Sequence, residues 1–474
     1  MPALLPVLLL AVSPAEVAAR IDEILAASPA SARANWGIAA EAIESRETVV
    51  AKNPDRYFIP ASNTKLYSTA LALVRLGPHH RLDTILVRDP NGDLRLIGGG
   101  DPTMSWRKYP YEKGPNKGNP LAAIEEFADM AVRKGIRHVT GDIVGDDTKW
   151  PSMPYPDGWS IDDAIWEYGA PVSALTINDN AIQITVRPGT EIGAAARVSL
   201  NPALEYYAID NRLRTETGER QFEIVRTAPG QLRLLGRIAP RSTGRSELVA
   251  IDDPALYAAH ALADALTRRG VRIDGRVRAE HRAEGDPAPV GGASEIVAVR
   301  KSRPVEEIVA VVNKVSQNLH AELLLREVGF QASGEGTARA GIDELKKLLA
   351  EIGVDKNDYD FRDASGLSRL TLTTPATTVK LLAHMHSGPL RDVWLSSLPV
   401  GGVDGSLENR FKGMADGARV RAKTGALTHV TALGGYIDSE SHGRLAFSIV
   451  ANGFNAPASE IRATIDKICL ELAK

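Results

Sequence analysis

The sequence predicts an α/β fold in which a five-stranded antiparallel sheet, flanked by helices, is interrupted by a large inserted region forming one or two mainly β additional domains. Three observations predict it. Ala34 to Ile43 and Thr48 to Ala51 read as a hairpin joined at Glu44-Ser45-Arg46-Glu47. Val430 to Ile437 and Arg444 to Ala451, with a strand Ala418 to Ala422 before them, read as a meander near the other end. About 210 residues separate the two halves, from near Leu82 to near Glu295, too many for a loop and enough for one or two domains. The 474-residue length itself asks for two or three domains. The boundaries read as 16–82 with 296–474 for the split domain, 83–178 with 254–295 for an inserted domain, and 179–253 for a second, β-rich one.

From the start, Ala3-Leu4-Leu5-Pro6-Val7-Leu8-Leu9-Leu10-Ala11-Val12 is apolar, and Ser13-Pro14-Ala15 offers small residues of the kind found at a cleavage site. This resembles a secretory signal without its basic leader, and an apolar N-terminal arm is the alternative. The stretch is too short to span a membrane, and no other segment is as long and apolar. After the first hairpin, Pro60 precedes a helix that runs through Leu66 to Val74 and stops at Gly77-Pro78. In the insert, Ala181 to Val186 and Leu232 to Ile238 alternate like strands, while Pro120 to Gly135 and Pro254 to Gly270 read as helices. Ala283 to Gly292, rich in Ala, Pro and Gly, reads as a linker back to the first domain. In a helical run from Val305 to about Glu327, the apolar residues Ile308, Val311, Val312, Val315, Leu319 and Leu323 keep a helical period. The closing helix puts Ile461, Ile465, Ile468 and Leu472 on one face, a core-packing pattern.

Composition narrows the partners. With 44% hydrophobic residues, 24% charged and a net charge of −3, nothing suggests nucleic acid or a strongly anionic surface. The single cysteine, Cys469, excludes an intramolecular disulfide and a cysteine metal cluster, and reads as a small core residue. His79-His80 and His384-x-His386 lack the carboxylate pattern of a zinc site.

Three short motifs carry the chemistry. A serine hydroxyl is a weak nucleophile and needs a base within hydrogen-bond reach. Ser62-Asn63-Thr64-Lys65 supplies both on one face of a helix start, where residues three apart meet. The helix is apolar or small on nearly every face, so Lys65 is expected in a dry site where its charged form is disfavoured. Ser316-Gln317-Asn318 is expected inside the helical run from Val305, and Lys423-Thr424-Gly425 where the strand ending at Ala422 runs into a loop. Each motif alone is common; the ordered set in these three contexts is not.

S-x-x-K with S-x-N and K-T-G is the signature of penicillin-binding proteins and serine β-lactamases. The sequence further resembles the penicillin-binding protein 4 type, the class C low-molecular-mass D-alanyl-D-alanine carboxypeptidase/endopeptidases, over nearly the whole chain. Similar stretches are Pro60 to Lys65, Gly98-Gly99-Gly100-Asp101-Pro102-Thr103, Gly141-Asp142 leading to Asp146-Asp147-Thr148, Tyr168 to Leu175, and Ser316 to Glu322. Asp363 to Arg369, Val403-Asp404-Gly405-Ser406-Leu407 and Arg421 to Gly425 complete them. The large insertion is itself a family hallmark. Two positions depart from the family: Ala426 stands where many members have a hydroxyl residue, and Ala364 where a glycine is usual.

The resemblance implies a β-lactamase/transpeptidase-like domain and a serine acyl-enzyme mechanism. Ser62 attacks the penultimate D-alanine carbonyl and Lys65 takes its proton. Backbone N–H groups of Ser62 and Ala426 form the oxyanion hole. Ser316, helped by Lys423, relays a proton to the leaving amine. Asn318 holds the amide of the acyl part, while Lys423, Thr424 and Gly425 line the site of the leaving carboxylate. Asp147 and Arg369, with Ser365 beside them, match positions that recognise a diaminopimelate side chain. No metal or organic cofactor is implied. The implied partners are peptidoglycan stem peptides and, as covalent inhibitors, β-lactams, in a periplasmic or otherwise extracytoplasmic setting. The rival readings are a serine β-lactamase-like hydrolase and a non-catalytic penicillin- or cell-wall-binding module.

Overall fold

The computed structural model describes residues 12–114, 118–218, 221–288, 293–414 and 416–474. The apolar stretch before Val12 and the last residues of the Ala283 to Gly292 linker lie outside them. The chain divides into two compact units. One comprises the residues up to Ala70, Ala310–Ser316 and Leu345–Lys474; the other comprises Leu71–Val309 and Gln317–Glu344.

The first unit is built on the five-stranded antiparallel sheet. Its strands lie in the order Val420–Leu427, Val430–Ser439, Gly443–Asn452, Asn35–Ala42, Thr48–Lys52. Helix Pro14–Ala26 opens at Ser13, which forms a capping box with Glu16 and satisfies donors that the first turn leaves unpaired. That helix buries Val17, Ile21 and Leu25, and helix Ala458–Leu472 buries Ile461, Ile465, Ile468, Cys469 and Leu472 in the same core as Ile38, Leu433, Phe447 and Ile449. Each such aliphatic side chain stabilises the unit by about 1.5–3 kcal/mol. Cys469 is buried, and burial pushes its thiol well up.

Two expectations about local structure are corrected. The strand carrying Lys423-Thr424-Gly425 does not end at Ala422; it runs Val420–Leu427, and Lys423, Thr424 and Gly425 lie opposite Gly434, Leu433 and Ala432. A lysine and a glycine argue against a strand on propensity, but the neighbouring strand decides. The run from Val305 is likewise two helices, Val305–Val315 and Asn318–Ser333, because Ser316 takes a left-handed φ of 63°. Gln317 then caps the second helix, its side chain accepting from the Leu319 N–H. The apolar period of Ile308, Val311, Val312, Leu319 and Leu323 continues across the break, so periodicity hid it.

The second unit holds a five-stranded mixed sheet in the order Val277–Arg282, Ile143–Pro151, Leu94–Ile97, Asp83–Arg88, Glu295–Lys301. Helices Ala122–Arg133 and Pro254–Arg268 supply Phe127, Ala258, Leu262 and Leu266 to its core. Gly99 is required by close approach: a Cβ there would stand 1.8 Å from the Asp83 carbonyl oxygen. Residues 181–250 form a three-stranded sheet (Arg245–Ala250, Ala181–Arg187, Arg197–Asn201) and a four-stranded one centred on Gln231–Ile238. Among the described residues, no helix is long and apolar enough to cross a membrane.

Candidate active site

Ser62 sits in a 3-10 turn, Ala61–Asn63, that leads directly into helix Thr64–Arg75. The turn places Lys65 Nζ 2.9 Å from Ser62 Oγ, as a three-residue helical spacing requires. Lys65 is fully buried and also donates to the Ser365 carbonyl oxygen at 2.6 Å. Its amine is therefore aimed by acceptors that include a hydroxyl and a main-chain oxygen. Ala61 holds a left-handed φ of 47°, and Gly366 packs on it so closely that a Cβ there would stand 1.8 Å from the Ala61 carbonyl oxygen.

The loop from Asp363 to Thr371 is organised by one carboxylate. Asp363 accepts from Ser365 Oγ at 2.8 Å, from the Ser368 N–H at 3.0 Å and from Thr371 Oγ1 at 3.0 Å. Ser365 is fully buried, and its hydroxyl serves the loop while its carbonyl serves Lys65. Ser68 Oγ donates to the Ala364 carbonyl oxygen at 2.9 Å, fastening the loop to the helix.

The strand bearing the third motif completes the cluster. Lys423 is buried and donates to Ser316 Oγ at 2.8 Å and to the Thr424 carbonyl oxygen at 2.8 Å. Burial, and then the neighbouring Lys65 charge, hold the Lys423 amine well below the ordinary lysine range. Thr424 Oγ1 donates to Ser406 Oγ at 2.9 Å. Two residues before Ser406, Asp404 accepts from Lys314 Nζ at 2.6 Å and from the Val400 N–H at 3.0 Å. Gly425 allows this strand to meet the Ser62 turn, since a Cβ would stand 2.7 Å from the Pro60 carbonyl oxygen. The Asn63 side chain, oriented to donate to the Lys423 carbonyl oxygen at 2.8 Å and accept from the Gly434 N–H at 3.1 Å, ties the two together. Ala426 is exposed, as is Arg369, whose Nη1 donates to the Thr428 carbonyl oxygen at 3.2 Å just beyond the motif. Within the first unit the structure thus brings together Ser62, Lys65, Ser316, Lys423, Thr424, Gly425, Ser365 and Arg369.

Asn318 and Asp147 belong to the second unit. Asn318 Nδ2 donates to the Tyr168 carbonyl oxygen at 2.7 Å. Asp147 is buried, and both its oxygens have internal partners. Oδ2 accepts from Ser173 Oγ at 2.8 Å, and Oδ1 lies 2.8 Å from His281 Nδ1. His281 Nε2 lies 3.3 Å from Asp253 Oδ2, and hydrogen bonds to the two carboxylates raise the His281 pKa to about 10. Sequence reasoning missed Asn63, Ser406, Asp363 and Tyr168 as partners, although all four lie inside the stretches that carry the family resemblance.

Comparisons with known proteins identify the family of the chain. The D-Ala-D-Ala carboxypeptidase 3 (S13) family matches residues 17–472. The D-alanyl-D-alanine carboxypeptidase of Actinomadura sp. (strain R39) is 33% identical, over 99% of this chain and 89% of its own. The D-alanyl-D-alanine carboxypeptidase DacB of Haemophilus influenzae is 22% identical, over 89% and 86%. Among solved structures, penicillin binding protein 4 (dacB) from Haemophilus influenzae superposes with a TM-score of 0.83 at 21% identity, over 96% of this chain and 99% of that one. The same protein complexed with a novel β-lactam gives a TM-score of 0.76 at 20% identity, over 95% and 97%. The fold is the one these proteins share, and the chain belongs to the D-Ala-D-Ala carboxypeptidase 3 (S13) family of serine-type peptidases.

Proposed function

We propose that the protein hydrolyses D-Ala-D-Ala ends and D-Ala-diaminopimelate cross-links of peptidoglycan through an acyl-enzyme on Ser62, outside the cytoplasm. The observation that carries this reading is the Ser62–Lys65 pair, 2.9 Å apart, with Lys65 fully buried. Lys65 accepts the Ser62 proton as Oγ bonds to the carbonyl carbon of the penultimate D-alanine. The tetrahedral oxyanion is held by the Ser62 and Ala426 backbone N–H groups, a role indifferent to the side chain at 426. The C–N bond then breaks, and the leaving amine takes a proton through Ser316, which Lys423 holds at 2.8 Å. Water hydrolyses the ester, and the same groups return the proton.

Thr424 and the charged form of Lys423 offer donors to the carboxylate of the leaving residue. Asn318, two residues along the chain from Ser316, takes the amide of the acyl part. Arg369, exposed beyond the third motif, suits the carboxylate of a diaminopimelate side chain. Asp147 suits the opposing ammonium poorly, since Ser173 and His281 occupy its oxygens. Asp163 is the better acidic candidate of the inserted unit: it is hydrogen-bonded to Tyr168, whose carbonyl holds Asn318.

The test is to measure D-alanine release from a pentapeptide and cleavage of a cross-linked dimer, in parallel with hydrolysis of penicillin. Turnover of both peptides with a long-lived penicilloyl adduct is expected. Rapid penicillin hydrolysis with no peptide cleavage would make the protein a β-lactamase, and covalent binding without turnover a sensor.

A further inference from the structure

We propose that Glu167 is a positioning residue for the second motif, acting through Gln317 to fix the side chain of Asn318. Glu167 Oε1 accepts from Gln317 Nε2 at 2.9 Å and from Arg107 Nη2 at 2.9 Å. The other end of the same carboxamide, Gln317 Oε1, accepts from the Leu319 N–H at 2.7 Å. Gln317 therefore spans from Glu167 to the first turn of helix Asn318–Ser333, with Asn318 between its two attachments. The next residue in the same short turn, Tyr168, gives its carbonyl oxygen to Asn318 Nδ2 at 2.7 Å. Two consecutive residues of the insert thus hold two consecutive residues of the motif, one by the helix cap and one by the side-chain amide.

The support beneath this pair is buried and charged. Asp179 Oδ2 accepts from Arg107 Nε and, at 3.4 Å, from Gln317 Nε2, while Asp179 Oδ1 lies 3.0 Å from His320 Nε2. Tyr109 Oη closes the chain 3.2 Å from His320 Nδ1. Burial pushes the Glu167 carboxyl up, with Arg107 opposing. Asp179 resists the same burial and is held well below the ordinary range by Arg107 and His320. Asn178, Asp179 and Asn180 all adopt left-handed φ angles, 49°, 55° and 51°, a costly backbone that places Asp179 under the helix start. Glu167 and Asp179 converge on the Gln317 carboxamide, and a buried polar network of this kind favours one geometry for the turn that carries Asn318.

This inference rests on the role given to Asn318 above, so the experiment separates the two. Acylation rates are measured with benzylpenicillin, which carries the amide that Asn318 would hold, and with 6-aminopenicillanic acid, which lacks it. Asn318→Ala should slow acylation by benzylpenicillin about tenfold and barely affect 6-aminopenicillanic acid. Glu167→Ala should reproduce that selectivity, Glu167→Gln should restore most of the rate because a carboxamide oxygen still accepts from Gln317, and adding Glu167→Ala to Asn318→Ala should cost nothing more. Equal losses on both β-lactams in Asn318→Ala overturn the role of Asn318. A selective Asn318→Ala with a non-selective or additive Glu167→Ala overturns the positioning role. Should Glu167→Ala fail to fold, Gln317→Leu removes the same link and is read by the same criteria.

Discussion

Lys423, a buried lysine on a central stretch of strand, donates a 2.8 Å hydrogen bond to Ser316 at the break between two helices. The left-handed φ at Ser316 interrupts helix continuity at the motif and turns a residue of an apolar helical run into a partner for Lys423. Burial, with the neighbouring Lys65 charge adding to it, lowers the charge that Lys423 carries beside Ser316.

Removing either relay should slow acylation. Lys65→Ala is expected to lower the second-order rate with a fluorescent penicillin by about two to four orders of magnitude, the contribution of a positioned base. Ser316→Ala should lower peptide hydrolysis as well, since the leaving amine loses its donor. Stopped-flow acylation with thermal unfolding as a control checks both, and a Lys65→Ala rate near wild type would remove Lys65 from the base role.

Substrate side-chain recognition gives a three-way comparison. Arg369→Ala and Asp163→Asn should reduce kcat/KM for diaminopimelate-containing peptides by about tenfold, one charge-assisted hydrogen bond each, and leave simple D-Ala-D-Ala analogues little changed. Asp147→Asn should instead lower the unfolding temperature and affect both substrate types alike. Selective loss in Asp147→Asn would return the acidic role to Asp147.

Ala426 gives the opposite kind of test, a gain. Its side chain is exposed, so a hydroxyl and a methyl fit without repacking, and β-branching suits a strand. Ala426→Thr adds one donor for the substrate carboxylate and leaves the backbone N–H in place. KM for D-alanyl peptides should fall and kcat/KM rise about tenfold with kcat nearly unchanged. An unchanged or lower kcat/KM counts against a missing donor.

The fold was legible where the sequence alternated plainly. Both hairpins and the closing Ile461-Ile465-Ile468-Leu472 helix appear in the structure with small shifts at their ends. The proximity of Ser62 and Lys65 was legible because three residues of helix bring two side chains together whatever surrounds them. What was not legible depends on contacts remote in sequence. The strand through Lys423 and Gly425 exists because Gly434 and Ala432 pair with it, and the break at Ser316 leaves the apolar period intact. Asp147 shows the limit of motif transfer: an acidic residue in a similar stretch says nothing of the Ser173 and His281 that occupy it.

His281 contributes a pH dependence to the stability of the inserted unit. Its folded pKa of about 10 lies above the ordinary histidine value of 6.5, so protonation favours the fold. That stabilisation is complete below about pH 6.5 and is lost as pH rises through about 10. His281→Gln should flatten the fall in unfolding temperature across this window, by differential scanning calorimetry. An unaltered profile would contradict the bridge between Asp147 and Asp253.

The acyl-enzyme itself is tested most directly by labelling the purified protein with a fluorescent penicillin, digesting it and locating the adduct by mass spectrometry. The adduct should fall on Ser62, and Ser62→Ala, folded as judged by its unfolding temperature, should neither label nor release D-alanine from a pentapeptide. An adduct on any other serine, or D-alanine release by Ser62→Ala, would contradict the mechanism.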